Sequence, residues 1–215
     1  AASALRSVAA GSAELTTAVF RAGAVAPLLR LIGDGALEDW AEAAGALRNI
    51  AAGVEEEAQA VFNAGAVEPL VKVLRQGTWD GREAAAAALA NLADASEDRA
   101  AAILGAGTVG PLVKLLVRGL PEGREAAAGA VKNLAASCGE AGCKELLAAV
   151  PPLVRLLAEG PPDAAAQAAG ALRNIAAEEV QGPGGLPGAR AARARSRRGG
   201  PARAGARPRP RRRAG

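Results

Sequence analysis

The stretch ALRNIAA at residues 46–52 returns as ALANLAD at 88–94, AVKNLAA at 130–136 and ALRNIAA at 171–177. Its asparagines, Asn49, Asn91, Asn133 and Asn174, stand 42, 42 and 41 residues apart, and ALRSVAA places Ser7 a further 42 upstream. A second string keeps step with the first. AGAVAPLLRLI around Pro27, AGAVEPLVKVL around Pro69, AGTVGPLVKLL around Pro111 and AAVPPLVRLL around Pro152 recur at the same intervals. Two independent strings with one shared period mean a stacked array of short supersecondary units.

Each unit reads as three helical pieces. The first closes at Phe20–Gly23 or Phe62–Gly65, where glycine suits a helix stop because it tolerates positive φ. The second carries Pro27, Pro69 or Pro111 in its first turn, where a missing N–H is harmless. Its Leu28, Leu31 and Ile32 are spaced to share one face. The third opens near an acid (Glu38, Glu83, Glu122 or Asp163) that favours the positive end of the helix, and it carries the Asn. At 100° per residue, Leu47, Ile50 and Ala51 fall together with Ala43 and Ala44 beside them, and these positions stay apolar in every copy. Asn49 lies on the other side with Gly45 and Glu42. The matching pairs are Ala87 and Ala84, Gly129 and Ala126, and Gly170 and Gln167. The Asn stripe is therefore expected to be exposed and lined by small residues. One unit cannot bury its apolar face alone, whereas a stack can. The class expected is all-α, an α-solenoid. A partial unit lies at 1–10, whole units at 11–53, 54–95, 96–137 and 138–178, and a tail at 179–215.

Composition agrees and excludes much else. Half of the 215 residues are apolar but only 2% are aromatic, so the core must be built from Ala, Leu, Val and Ile. Histidine is absent, which removes imidazole as base, acid or metal ligand. With no nucleophile–base pair either, no enzyme and no cofactor are expected. No apolar run approaches the roughly 20 residues that a spanning helix needs, so no membrane role is expected. The net charge of +4 conceals a segregation. All 22 acidic residues lie at or before Glu179, with 15 Lys and Arg, giving 15 − 22 = −7; the 11 Arg beyond Gly182 meet no acid.

The period, the G-A-V-x-P-L-V-x-L-L string and the A-L-x-N-L/I-A string resemble armadillo repeats across about residues 1–178. The A-G-A-L-R-N form is most similar to the armadillo proteins of plants and algae. The resemblance implies a right-handed superhelix whose third helices line a concave groove for an extended peptide or partner protein. It also implies that Asn49, Asn91, Asn133 and Asn174 hydrogen-bond the peptide backbone there. A carboxamide offers both a donor and an acceptor, so it can pair with a peptide without reading side chains. Glu42, Glu83, Glu125, Arg48, Lys132 and Arg173 flank the asparagines and complete the candidate binding set. The alternative role for the asparagines is bracing the neighbouring repeat. Members similar to importin-α carry Trp four residues before the Asn; here that place holds Gly45, Ala87, Gly129 and Gly170, which disfavours nuclear-signal binding. Trp40 and Trp79 are at non-equivalent places and are expected to cover core edges.

Other features read more weakly. GAGTVG at Gly105–Gly110 matches G-x-G-x-x-G, but a dinucleotide site requires a preceding strand, and this copy sits at the repeat position of RAGAVA and NAGAVE. Cys138 and Cys143, with no His, fall short of the four ligands of structural zinc. They are expected as free thiols in a reducing, cytoplasmic or nuclear setting. From Gly182 to Gly215 the tail holds only Gly, Pro, Ala and Arg apart from Leu186 and Ser196; it cannot build a core and is expected to be disordered. It could serve as an arm for nucleic acid, as an import signal, or as a loose, salt-sensitive contact on the acidic body. Its four main residue types also all have codons made of G and C, as read-through of a GC-rich gene would give. The function expected is a non-catalytic interaction scaffold. The alternatives are a nucleic-acid-associated protein acting through the tail, and the substrate-recognition arm of a ubiquitin ligase. A cut solenoid is expected too, able to self-associate through uncapped ends.

Overall fold

The computed structural model describes residues 13–179; the partial unit at 1–10 and the tail from residue 180 lie outside them. The described residues form twelve α-helices in four triplets and contain no strand. The first triplet is α1 (Ala13–Arg21), α2 (Val25–Asp34) and α3 (Leu37–Ala51). Next come α4 (Glu55–Asn63), α5 (Val67–Gln76) and α6 (Trp79–Ala93), then α7 (Glu97–Gly105), α8 (Val109–Arg118) and α9 (Pro121–Ser137). The last is α10 (Glu140–Leu146), α11 (Val150–Glu159) and α12 (Pro162–Glu179).

Two glycine positions shape each triplet. Between its first and second helices Gly23, Gly65 and Gly107 adopt φ of 78°, 78° and 73°, a region costly for residues with a Cβ. In the last triplet Ala148 occupies that place, and the chain passes instead through a 3₁₀ turn, Leu147–Ala149. Between the second and third helices, Gly35, Gly77, Gly119 and Gly160 donate to the carbonyls of Leu31, Val73, Leu115 and Leu156. A Cβ at any of these four would overlap that same carbonyl oxygen.

The third helices α3, α6, α9 and α12 pack side by side. Ala44, Ala46, Ala86, Ala88, Ala128 and Ala130 are fully buried, and their small side chains let neighbouring helices approach closely. Leu47, Ile50, Leu89, Leu92 and Leu134 fill the layer behind them, with Leu28, Ile32, Leu70, Leu112 and Leu153 from the second helices. Each such burial contributes roughly 1.5–3 kcal/mol, so the stack is held by repetition of one modest contact.

Several expectations need correction. Trp40 is a core-edge residue, buried, with its indole N–H donating to the Gly35 carbonyl at 2.9 Å and the Lys72 ammonium 4.3 Å above its ring. Trp79 is not; it remains 43% exposed at the start of α6, under the Arg82 guanidinium. Asp80 occupies the first turn of α6, which puts Glu83 one turn further in and on the groove side. Cys138 and Cys143 are joined as a disulfide, not free. Helix α10 starts two residues after Cys138 and brings the two Cα atoms to 6.1 Å, inside the span a disulfide bridges.

Two charged side chains enter the interior at equivalent places. Arg99 of α7, 1% exposed, donates to the Leu92 and Asp94 carbonyls at the end of α6 and to Glu55 and Gln59 of α4. Glu57 of α4, 2% exposed, accepts from the Thr17 hydroxyl at 2.6 Å, while its other oxygen is buried without a partner.

Candidate functional site

The Asn positions follow from the helical period. Each Asn stands opposite the apolar face of its helix, beside a residue with little or no side chain, so its carboxamide lies over the neighbouring helix and not in the core. The amide Nδ2 of Asn91 donates to the Arg48 carbonyl of α3 at 3.0 Å. Asn133 makes the same bond to Ala90 of α6 at 2.9 Å, and Asn174 to Lys132 of α9 at 3.0 Å. Each acceptor is the residue before the preceding repeat's Asn. Asn49 accepts from the Arg48 Nε at 3.3 Å. Bracing, the alternative role, is therefore part of the arrangement. It uses one amide proton; Oδ1 and the second proton of Asn91, Asn133 and Asn174 are left for another partner. The asparagines are half-buried, not fully exposed.

Between α6, α9 and α12 lies a cavity of about 420 Å³. Glu83, Asn91, Glu125, Lys132 and Asn133 of the candidate set line it together, over a floor of Ala87, Ala90, Ala126 and Gly129. The other five candidates lie outside this cavity: Glu42, Arg48 and Asn49 on α3, and Arg173 and Asn174 on α12. Arg48 is tied to the cavity through Glu83, 3.8 Å away. Two lining residues, Glu122 and Gln167, were not among the candidates. Glu122 read only as a helix opener, and Gln167 is uncharged; the signals were Glu122's place three residues from Glu125 and Gln167's place two helical turns before Asn174 on the same stripe.

Charge sets the character of this surface. Burial pushes the Glu83 carboxyl above the usual carboxylate value of 4.5; the Arg48 cation opposes that rise, and Asp80, Glu122 and Glu125 add to it. These four acids therefore share one field. At the far side the Lys132 ammonium donates to the Gln167 amide oxygen at 2.7 Å. Its stem lies so close to Gly170 that a Cβ there would meet Lys132 Cδ at 2.9 Å. A small residue four places before the Asn thus lets the preceding repeat's lysine lie across α12.

The chemistry offered is hydrogen bonding and charge. No group of three potential metal ligands occurs among the described residues, and no single helix among them is long and apolar enough to cross a membrane. The glycines of the G-x-G-x-x-G match belong to a helix–helix turn. Gly105 ends α7, Gly107 takes φ 73°, and Arg75 of the preceding repeat donates to the Ala106 and Gly107 carbonyls.

The family model "Armadillo/beta-catenin-like repeat" matches residues 55–94 and 142–177. No curated protein sequence matches the chain. Among solved structures, the chain is similar to the designed armadillo repeat protein YIII(Dq)4CqI at 35% identity and a TM-score of 0.76, covering 84% of this chain and 77% of that one. It is similar to the designed armadillo repeat protein YIII(Dq.V1)4CPAF in complex with peptide (KR)4 at 34% identity and a TM-score of 0.72, covering 80% and 72%. A computationally designed armadillo repeat protein for modular peptide recognition matches at 34% and 0.75, covering 86% and 81%. None of these points to plants or algae.

Proposed function

Because the chain belongs to the armadillo-repeat family, we propose that it is a non-catalytic interaction scaffold that holds an extended peptide across α3, α6, α9 and α12. The observation that carries this reading is the Asn register. Asn91, Asn133 and Asn174 each spend one amide proton on the repeat before them. That bond fixes the carboxamide plane and presents an acceptor and a donor once per repeat. An extended backbone offers N–H and C=O groups at regular spacing, so a pre-oriented ladder binds it without first ordering its own side chains. Two similar designed proteins, one in complex with (KR)4 and one made for peptide recognition, support the reading. The cavity of about 420 Å³ beside Asn91 and Asn133 gives the bound side chains room.

The test is hydrogen exchange on the full chain mixed with a library of extended peptides. Bound peptides are expected to protect α6 and α9 amides near Asn91 and Asn133, and Asn91→Ala plus Asn133→Ala to weaken binding roughly ten- to a hundredfold. Since both residues also brace, the double variant should melt earlier as well, and binding must be compared well below its melting point. Protection confined to the second helices would overturn the groove assignment.

A further inference from the structure

The groove sets polar and charged side chains against one another across its helix junctions, and not evenly. Residues 48, 90 and 132 each precede an Asn; Glu83 and Glu125 stand eight places before Asn91 and Asn133, while Gln167 stands seven before Asn174. At the first step Arg48 meets Glu83 at 3.8 Å, cation against carboxylate. At the last step Lys132 meets Gln167 at 2.7 Å, so its positive charge faces a neutral amide. At the middle step residue 90 is alanine. Glu125 consequently faces no cation from α6, and Glu122 lines the same cavity one turn away. The register is thus balanced at one junction, short of a cation at the next, and short of an anion at the one after.

Resting on the peptide-binding reading above, we propose that the stretch from α6 to α12 selects extended peptides of alternating charge. A lysine or arginine sits against Glu125 and Glu122 between α6 and α9. One repeat further on, an aspartate or glutamate takes the Lys132 ammonium from Gln167. Packed helices lie about 8–10 Å apart and an extended chain rises about 3.3 Å per residue, so the two charged residues stand two to three positions apart. Each peptide charge completes a pair that the protein leaves open, whereas a uniformly basic peptide sets its second cation against Lys132. Like-charge juxtaposition of this kind is how interfaces reject wrong partners. Gly129 and Gly170 provide the necessary room, since neither places a side chain between the charges and the peptide.

The experiment is fluorescence anisotropy on the full chain with short labelled peptides of neutral background. They carry one Lys, one Glu, Lys with Glu two or three positions apart in both orders, or two Lys. One Lys–Glu order is expected to bind tightest, with each charge worth about three- to tenfold. Glu125→Gln should erase the gain from Lys and leave the gain from Glu. Lys132→Gln should do the reverse. Both positions are partly exposed surface sites, so both variants should keep the parent's thermal melt. If the two-Lys peptide binds as well as the best Lys–Glu peptide, or if neither substitution discriminates, the alternating-charge inference falls while the groove reading stands. If no peptide protects α6 and α9 amides from hydrogen exchange, the groove reading falls and takes this inference with it.

Discussion

Arg99 and Glu57 occupy the same repeat position, eight residues after an Asn, and have opposite fates. Both are drawn beneath the end of the preceding third helix, where carbonyl groups lack helical partners. Arg99 satisfies that end: its guanidinium reaches Leu92 at 2.6 Å and Asp94 at 2.9 Å, then continues to Glu55 and Gln59 of α4. Glu57 brings an acceptor to a region of acceptors. One oxygen is satisfied by Thr17; the other lies buried against Gly53, without a partner. The repeat unit thus provides a slot that fits a donor, and only one of these two junctions fills it with one. The junction between the second and third triplets should accordingly be much the stronger of the two.

The largest test of this difference is to empty each slot. Arg99→Met leaves the buried Leu92 carbonyl, the part-buried Asp94 carbonyl and the Gln59 amide oxygen without their donor, and should destabilise the protein by about 2–4 kcal/mol in urea unfolding. Glu57→Met removes one good bond together with an unsatisfied oxygen, and should lie within about 1 kcal/mol of neutral. Equal losses at the two sites would mean that the slot is indifferent to charge.

A smaller change sharpens the same point without altering shape. Glu57→Gln keeps an oxygen for Thr17 and turns the orphaned acceptor beside Gly53 into a donor at the end of α3, where carbonyls predominate. A gain of about 1 kcal/mol is expected at neutral pH, measured as a higher urea midpoint at unchanged slope. No gain would show that the unpartnered oxygen is already relieved in solution.

How far these features were legible follows from what each bond joins. The triplets were readable because glycine at the turns, proline in the second helix and alanine on the third helix's inner face are each demanded by backbone geometry. The bracing by Asn91 was not, since its acceptor is a backbone carbonyl 43 residues away and every residue has one. Arg99 leaves a trace in the sequence: at its place the other copies hold Leu15, Glu57 and Ala141, so the position tolerates any chemistry, and a cation there has to find acceptors. Glu83 reads from the sequence as the acid that opens its helix but stands one turn further in, because Asp80 already serves the first turn of α6. The cysteines were misjudged because the sequence does not show how sharply the chain turns into α10.

The loops beside the two slots give a third, smaller contrast. Ala95 adopts φ 54°, a left-handed conformation that disfavours side chains. Gly53, its counterpart, does not need positive φ; it needs the absence of a Cβ, which would strike the Glu57 carboxylate. Ala95→Gly should therefore stabilise by about 0.5–1 kcal/mol, the relief of left-handed strain less the added freedom of the unfolded chain. Gly53→Ala should destabilise, and should do so less in a Glu57→Ala background. Additive losses at Gly53 and Glu57 would sever that link.

The smallest expected effect is a pH dependence at the Arg99 slot. Arg99 holds the Glu55 carboxyl below its usual 4.5, first through the hydrogen bond; slight burial opposes this, and the Arg99 charge reinforces it. A carboxyl depressed in the folded state contributes stability that is present above 4.5 and lost as pH falls through its folded value. Glu83 has the opposite sign. Its raised value means that folding favours the protonated form, so its contribution is present below 4.5 and lost as pH rises. Glu55 keeps 68% of its side chain in solvent, so screening should reduce its share to a few tenths of a kcal/mol. The stability gap between the parent and Arg99→Met should therefore narrow by that amount between about pH 7 and pH 2, with the backbone and Gln59 bonds of Arg99 keeping the rest. Glu83→Gln should leave the gap unchanged at every pH, since Glu83 lies in the groove and makes no contact with the slot. A gap that closed entirely in acid would mean that Arg99 works through its ion pair with Glu55, and that the comparison with Glu57 is one of charge partners instead of helix ends.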